Sequence, residues 1–222
     1  MDPPLKQWVE ETPQLVAIEY HTWFPYPGDA YYQATQSIVI ERTGEYSIAQ
    51  VPSAVMDATT LADENPTVYQ AAYDARVGVP SPIFLDATGT YDLVARTGTL
   101  VVTITPDGSL GGDHRLRVAI TESNIDDLFP NGLNNHQNVL RALVSGTDGE
   151  ILTFSGPGDA PRVIEAPFAI DAAWNADEIQ FVLSVQDASA RQVAQAGTVA
   201  LSELTPVTPV VTTTWSRLKT VF

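Results

Sequence analysis

The 222-residue chain carries 27 acidic against 11 basic residues, a net charge of −16, and has no cysteine. That charge repels phosphate backbones and anionic bilayers and so disfavours general nucleic-acid binding, and the missing thiols exclude disulfides, thiolate catalysis, iron–sulfur ligation and cysteine zinc sites. Hydrophobic residues at 44% describe a folded globular protein, and apolar runs such as 99–104 are far too short for a transmembrane segment.

The chain opens on Met1-Asp2-Pro3-Pro4, without the basic and apolar regions of a secretory signal. Residues 14–22 form an apolar run rich in strand formers and read as a buried strand. A turn follows at Phe24-Pro25-Tyr26-Pro27-Gly28. Asp29 then suits a helix N-cap, and 30–43 reads as a helix stopped near Gly44. Residues 46–56 resemble a strand interrupted by Pro52. Asn65-Pro66 is a helix start, and the helix runs over 66–76 with Val68, Ala71, Ala72 and Ala75 on one face and Gly78 at its end. Val79-Pro80-Ser81-Pro82 leads into a short run at 83–85, a turn at 86–89 and a strand near 91–95.

After Gly98 strands dominate, at 99–105, 115–122, 138–144, 151–154, 163–170, 178–186 and 193–201. Turn signals such as Pro106-Asp107-Gly108 and Thr147-Asp148-Gly149 separate them. The alternation in Leu116-Arg117-Val118-Ala119-Ile120-Thr121 argues for an antiparallel β-sandwich. A Pro/Thr-rich stretch from 205 leads to an amphipathic tail with Trp215, Leu218 and Phe222 at helical spacing, a candidate docking handle.

Trp23-Phe24-Pro25-Tyr26-Pro27 has the spacing of the Trp-Cys-Pro-Tyr-Cys stretch that opens the first helix of a thioredoxin-type unit, with Phe24 and Pro27 in the two cysteine positions. Gly78-Val79-Pro80-Ser81 stands where such units place a cis-proline loop, which predicts a cis Val79–Pro80 bond. Together with Glu19-Tyr20-His21-Thr22-Trp23, His136-Gln137-Asn138-Val139-Leu140-Arg141 and Phe181-Val182-Leu183-Ser184-Val185-Gln186-Asp187, these strings make the chain resemble the thioredoxin-like outer-membrane lipoproteins named for a twenty-eight-kilodalton outer membrane protein. The resemblance implies an α+β chain: a trimmed thioredoxin-like α/β domain at 1–97, a β-sandwich domain at 98–204, and a linker with tail at 205–222. It also implies an extracytoplasmic address, in the periplasm, on the outer membrane surface or secreted. Disulfide exchange needs a thiolate attacking sulfur, and Phe24 and Pro27 offer neither.

Trp23, Phe24, Tyr26, Tyr31 and Tyr32, with Val79 and Pro80 opposite, form the candidate binding surface; the alternative is that these rings fill a core. His21 and His136 read as hydrogen-bonded structural histidines, since neither has a nucleophile, a second histidine or clustered carboxylates beside it in sequence. Asp86, Thr88, Thr90 and Asp92 read as a polar turn rather than a calcium loop, and Asp126-Asp127 as a solvated loop. No phosphate-binding, dinucleotide-binding, zinc-protease or serine-nucleophile motif occurs. The expected function is a redox-inactive, non-catalytic binding or structural module without cofactor or metal, associating with other protein subunits or itself. The alternative is an enzyme using histidines or carboxylates at the domain junction.

Overall fold

The computed structural model describes residues 3–12, 14–61, 65–129 and 132–207. The tail residues Trp215, Leu218 and Phe222 lie outside the described residues.

Helix α1 (Pro3–Glu11) precedes an extended segment that reaches the Trp23–Pro27 turn. Helix α2 (Ala30–Glu45) follows, then the hairpin β1 (Ala54–Met56) and β2 (Thr59–Leu61), and helix α3 (Pro66–Val77). Sequence signals set both later helices. Asp29 accepts the Tyr31 and Tyr32 amides, and Asn65 accepts the Thr67 amide ahead of Pro66 at the helix start. Inside α2, the Thr35 hydroxyl donates to the Tyr31 carbonyl at 2.8 Å, and the helix kinks at Thr35.

The remaining chain is a two-sheet sandwich. One sheet runs β11 (Thr205–Pro206), β3 (Ile83–Asp92), β4 (Thr97–Pro106), β8 (Arg162–Ala169). The other runs β10 (Val193–Ala200), β9 (Ile179–Asp187), β5 (Leu110–Glu122), β6 (Val139–Leu143), with β7 (Glu150–Phe154) on the first half of β5. All pairings are antiparallel except β11 with β3. The core lies between the sheets: Leu100, Val102 and Ile104 face Leu116, Val118, Ile120, Phe181, Leu183 and Val185.

The β-sandwich expectation holds, with its start moved. Residues 83–92 form one continuous strand with no turn at 86–89, because the alternation Ile83, Leu85, Ala87, Gly89, Tyr91 runs unbroken against β4. The β3–β4 hairpin therefore carries the sandwich across the expected 97/98 boundary. It also places Asp86, Thr88, Thr90 and Asp92 on a strand rather than in a loop.

The N-terminal region differs more. Among the described residues before Ile83 the strands are β1 and β2, an antiparallel hairpin separate from both sandwich sheets, so the β-α-β unit expected over 1–97 is not shown. Residues 14–22 lie along the free edge of β6 instead: Glu19 N–H donates to Asn138 O at 2.8 Å and Leu140 N–H to Glu19 O at 2.9 Å. Period-two geometry then divides this segment. Val16, Ile18 and Tyr20 pack with Ile38 of α2 onto Ala119, Leu140 and Val182, the outer face of the five-stranded sheet. The cis bonds among the described residues are Phe24–Pro25 and Val51–Pro52; Val79–Pro80 is trans.

Beneath this cover lies a buried polar network. Arg117 of β5 donates to Gln186 Oε1 at 2.7 Å and to Thr147 O at 2.8 Å, and meets Glu45 at 3.6 Å. Glu45 also pairs with Arg42, and Gln186 bonds Tyr46. Burial, followed by the Arg42 charge, lowers the Arg117 guanidinium below its ordinary pKa. A smaller cluster of Trp8, Leu61 and Tyr69 joins α1, β2 and α3. Asp57 in the β1–β2 turn ties this part to the sandwich by pairing with Arg76 and accepting the Val193 amide.

Gly98 shows a close approach the fold depends on. It lies between Tyr91 on β3 and Phe168 on β8, whose rings stack at 6.0 Å. A Cβ there would collide with the Thr90 carbonyl oxygen and the Phe168 ring. Gly98→Ala is expected to lower stability by about 1–3 kcal/mol, read as a reduced urea midpoint at unchanged slope. Gln186→Leu strips Arg117 and Tyr46 of a partner and should lower stability by about 1–3 kcal/mol in the same measurement.

Candidate functional site at the seam between the cover and the sheet

The turn at 23–28 and the start of α2 are built from short-range bonds. Thr22 Oγ1 donates to Phe24 O at 3.0 Å, Asp29 N–H to Tyr26 O at 3.0 Å, and Gln33 Nε2 to Pro27 O. The aromatic cluster expected from sequence divides here. Trp23 is 46% exposed and Phe24 61% exposed, whereas Tyr31 and Tyr32 are buried. Tyr26 is half-buried, and Trp23 leans on Tyr32 with ring centroids 6.4 Å apart. The rings are thus part display and part foundation. Phe24 and Pro27 lie in the turn ahead of α2, which starts at Ala30 behind its cap Asp29. Val79 and Pro80 are exposed beyond the end of α3, and among the described residues the hydrogen bonds of the 23–28 turn go to its own neighbours and α2.

Behind the turn the structure gathers groups that the sequence keeps apart. The alternation that sends Val16, Ile18 and Tyr20 to the sheet sends Glu19 and His21 the other way. His136 arrives from the loop before β6, and its imidazole lies 5.3 Å from that of His21, centroid to centroid. Glu19, His21 and His136 bring one ligand-capable atom each within 4.8 Å of one another. His21 Nδ1 bonds Asp29 Oδ2 at 2.7 Å, and its Nε2 stands 3.8 Å from Glu19 Oε1. His136 Nε2 meets the Asp127 carbonyl at 3.1 Å. The expectation of two hydrogen-bonded histidines fits, but each also has the other as a neighbour.

The walls are aromatic. Phe129 stands edge-on to His136 at 4.5 Å and lies 5.2 Å from His21; Tyr31 is 4.9 Å from His21. Asp126 and Asp127 lie exposed in a loop, as expected, and Tyr31 donates to Asp127 Oδ2 at 3.1 Å, which ties that loop to the wall of the site. Arg141 lies over the Tyr31 ring at 4.7 Å and is held by the buried Glu122 at 2.7 Å.

Electrostatics follow from this packing. Burial, then the nearby His21, lowers the His136 pKa and favours its neutral form. Burial and then the Asp127 carboxylate push the Tyr31 hydroxyl up to about 12. For Asp29, burial raises the pKa, but the His21 bond and charge and the Tyr31 and Tyr32 amides outweigh it and hold the carboxyl below its usual range.

Sequence reasoning placed Asp29 as a cap and His21 beside the turn. It missed the Glu19–His21–His136 grouping because 114 residues separate His21 from His136. The available signal was the Glu-x-His spacing on an extended segment, which puts both side chains on one side.

No family model matches the sequence, and no curated protein does. Among solved structures, a domain of the outer membrane lipoprotein Omp28 from Porphyromonas gingivalis is similar, with 16% identity and a TM-score of 0.42, covering 58% of this chain and 100% of that one. No helix among the described residues is long and apolar enough to cross a membrane.

Asp29 serves both the α2 start and His21, and substitution separates the two. Asp29→Ala should cost about 0.5–2 kcal/mol in chemical denaturation, whereas Asp29→Asn, an equally good cap, should stay near the parent stability.

Proposed function

We propose that the chain is a non-catalytic protein-binding module of an extracytoplasmic or cell-surface assembly. One observation carries this reading: Trp23 and Phe24 project from a turn pinned by its own hydrogen bonds and footed on buried Tyr31 and Tyr32. Exposed aromatics on a rigid support lose little entropy when covered and are the residues that dominate protein interfaces. The occupant we favour is another folded protein subunit, a second copy of this chain included. The extracytoplasmic address rests on the resemblance of the sequence strings, and so does the descent from a thioredoxin-like ancestor whose dithiol positions became Phe24 and Pro27. Thiol–disulfide exchange has no sulfur to use here, since the chain has no cysteine.

A second reading, an enzyme working through the seam, is favoured by the His21–Asp29 pair with His136 beside it. Burial of both imidazoles weighs against it: the His21 side chain is 8% exposed and His136 is 4% exposed.

The double variant Trp23→Ser/Phe24→Ser tests the first reading. Both side chains are exposed, so folding stability should change by no more than about 0.5 kcal/mol. Association, measured as co-fractionation in native material and as mass by light scattering of the purified chain, should be lost. A parent chain that fractionates alone and stays monomeric at high concentration overturns the reading.

A further inference from the structure

We infer that Glu19, His21 and His136 form a binding site for one divalent transition metal ion of the zinc class, which clasps the N-terminal segment to the loop before β6.

The first support is the donor set. Two imidazoles and a carboxylate, with one ligand-capable atom each inside 4.8 Å, suit zinc and its first-row neighbours rather than magnesium or calcium, which take oxygen ligands almost throughout.

The second support is which nitrogens remain available. Asp29 occupies His21 Nδ1 at 2.7 Å, so Nε2 is the ring nitrogen left to face a metal ion, which takes the place of any proton there. This Nε2 is buried with no hydrogen-bond partner, on a side chain only 8% exposed, and it points toward Glu19. A buried imidazole nitrogen without a partner costs free energy unless something coordinates it. On His136 the Asp127 carbonyl takes the Nε2 proton at 3.1 Å, which leaves Nδ1 as the lone-pair nitrogen. A carboxylate behind one histidine and a backbone carbonyl behind the other are the outer-shell partners that metal-bound histidines use to fix tautomer and ring orientation.

The third support is the surroundings. Phe129 and Tyr31 pack against both imidazoles and limit water access, and Asp29 is itself fixed by the α2 amides. Three protein donors leave a fourth position for water. The site joins two strands of contact already present: Glu19 and His21 lie on the segment that hydrogen-bonds Asn138 and Leu140, two and four residues beyond His136. A bound ion therefore fastens the cover to the sheet edge, a role that does not depend on the docking reading above.

The test uses the full chain, freed of metal by chelator dialysis and titrated with zinc against a chromophoric competitor, with cobalt(II) absorption as a second readout. One equivalent should bind, survive excess magnesium and raise the melting temperature. His136→Gln should abolish the tight site and the cobalt spectrum. Asp29→Asn, which keeps the helix cap, should weaken binding by about 10–100-fold. His114→Gln, at the remaining histidine, should change nothing. Near-UV circular dichroism reports folding of each variant; if His136→Gln does not fold, Glu19→Gln and Asp29→Asn make the comparison. The inference is overturned if the parent chain binds zinc no more tightly than a folded ligand variant, or if Asp29→Asn leaves the affinity unchanged.

Discussion

The five-stranded sheet of this protein is apolar on both faces, and most other features follow from the need to cover the second one. Along β5, Leu116, Val118 and Ile120 enter the sandwich core while Ala119, with Leu140 and Val182 beside it, faces outward. Left in water, that outer patch would cost roughly 25 cal/mol for each Å² of apolar surface. The 14–22 segment and α2 remove it from water and form a third layer on the sandwich, while α1, β2 and α3 keep a small cluster of their own.

Covering the face brings a polar difficulty. Arg117 alternates onto the same side as Ala119 and would be buried unpaired. Glu45, Gln186 and the Thr147 carbonyl resolve this, and they come from α2, β9 and a loop respectively. Such a network adds little net stability, but it is demanding in geometry. It makes the position of α2 specific, and with it the position of Asp29 at the other end of that helix. The seam cluster is downstream of this: Asp29 orients His21, and the segment that supplies His21 is held by its backbone bonds to Asn138 and Leu140.

The same turn has two sides of different character. Outward, Trp23 and Phe24 are exposed apolar rings. Inward, Tyr31 and Phe129 pack around His21 and His136. A metal clasp of the kind inferred above would stiffen the support of the outward rings.

Local chemistry in the sequence was enough for the helix starts, because Asp29 and Asn65-Pro66 act on amides two or three residues away, and for the strands after Gly98, whose alternation and turn residues are short-range properties. It also settled the absence of thiol chemistry, which no fold can restore. The sequence could not decide that residues 83–92 pair with β4 rather than closing a first domain, since a strand's partner is a non-local choice made by register and core packing. Helix α1 carried too weak a local signal to be read. The meeting of Glu19 and His21 with His136 depended on the segment running along β6, a hydrogen-bonded contact between residues more than a hundred positions apart, and only the tertiary structure holds that information.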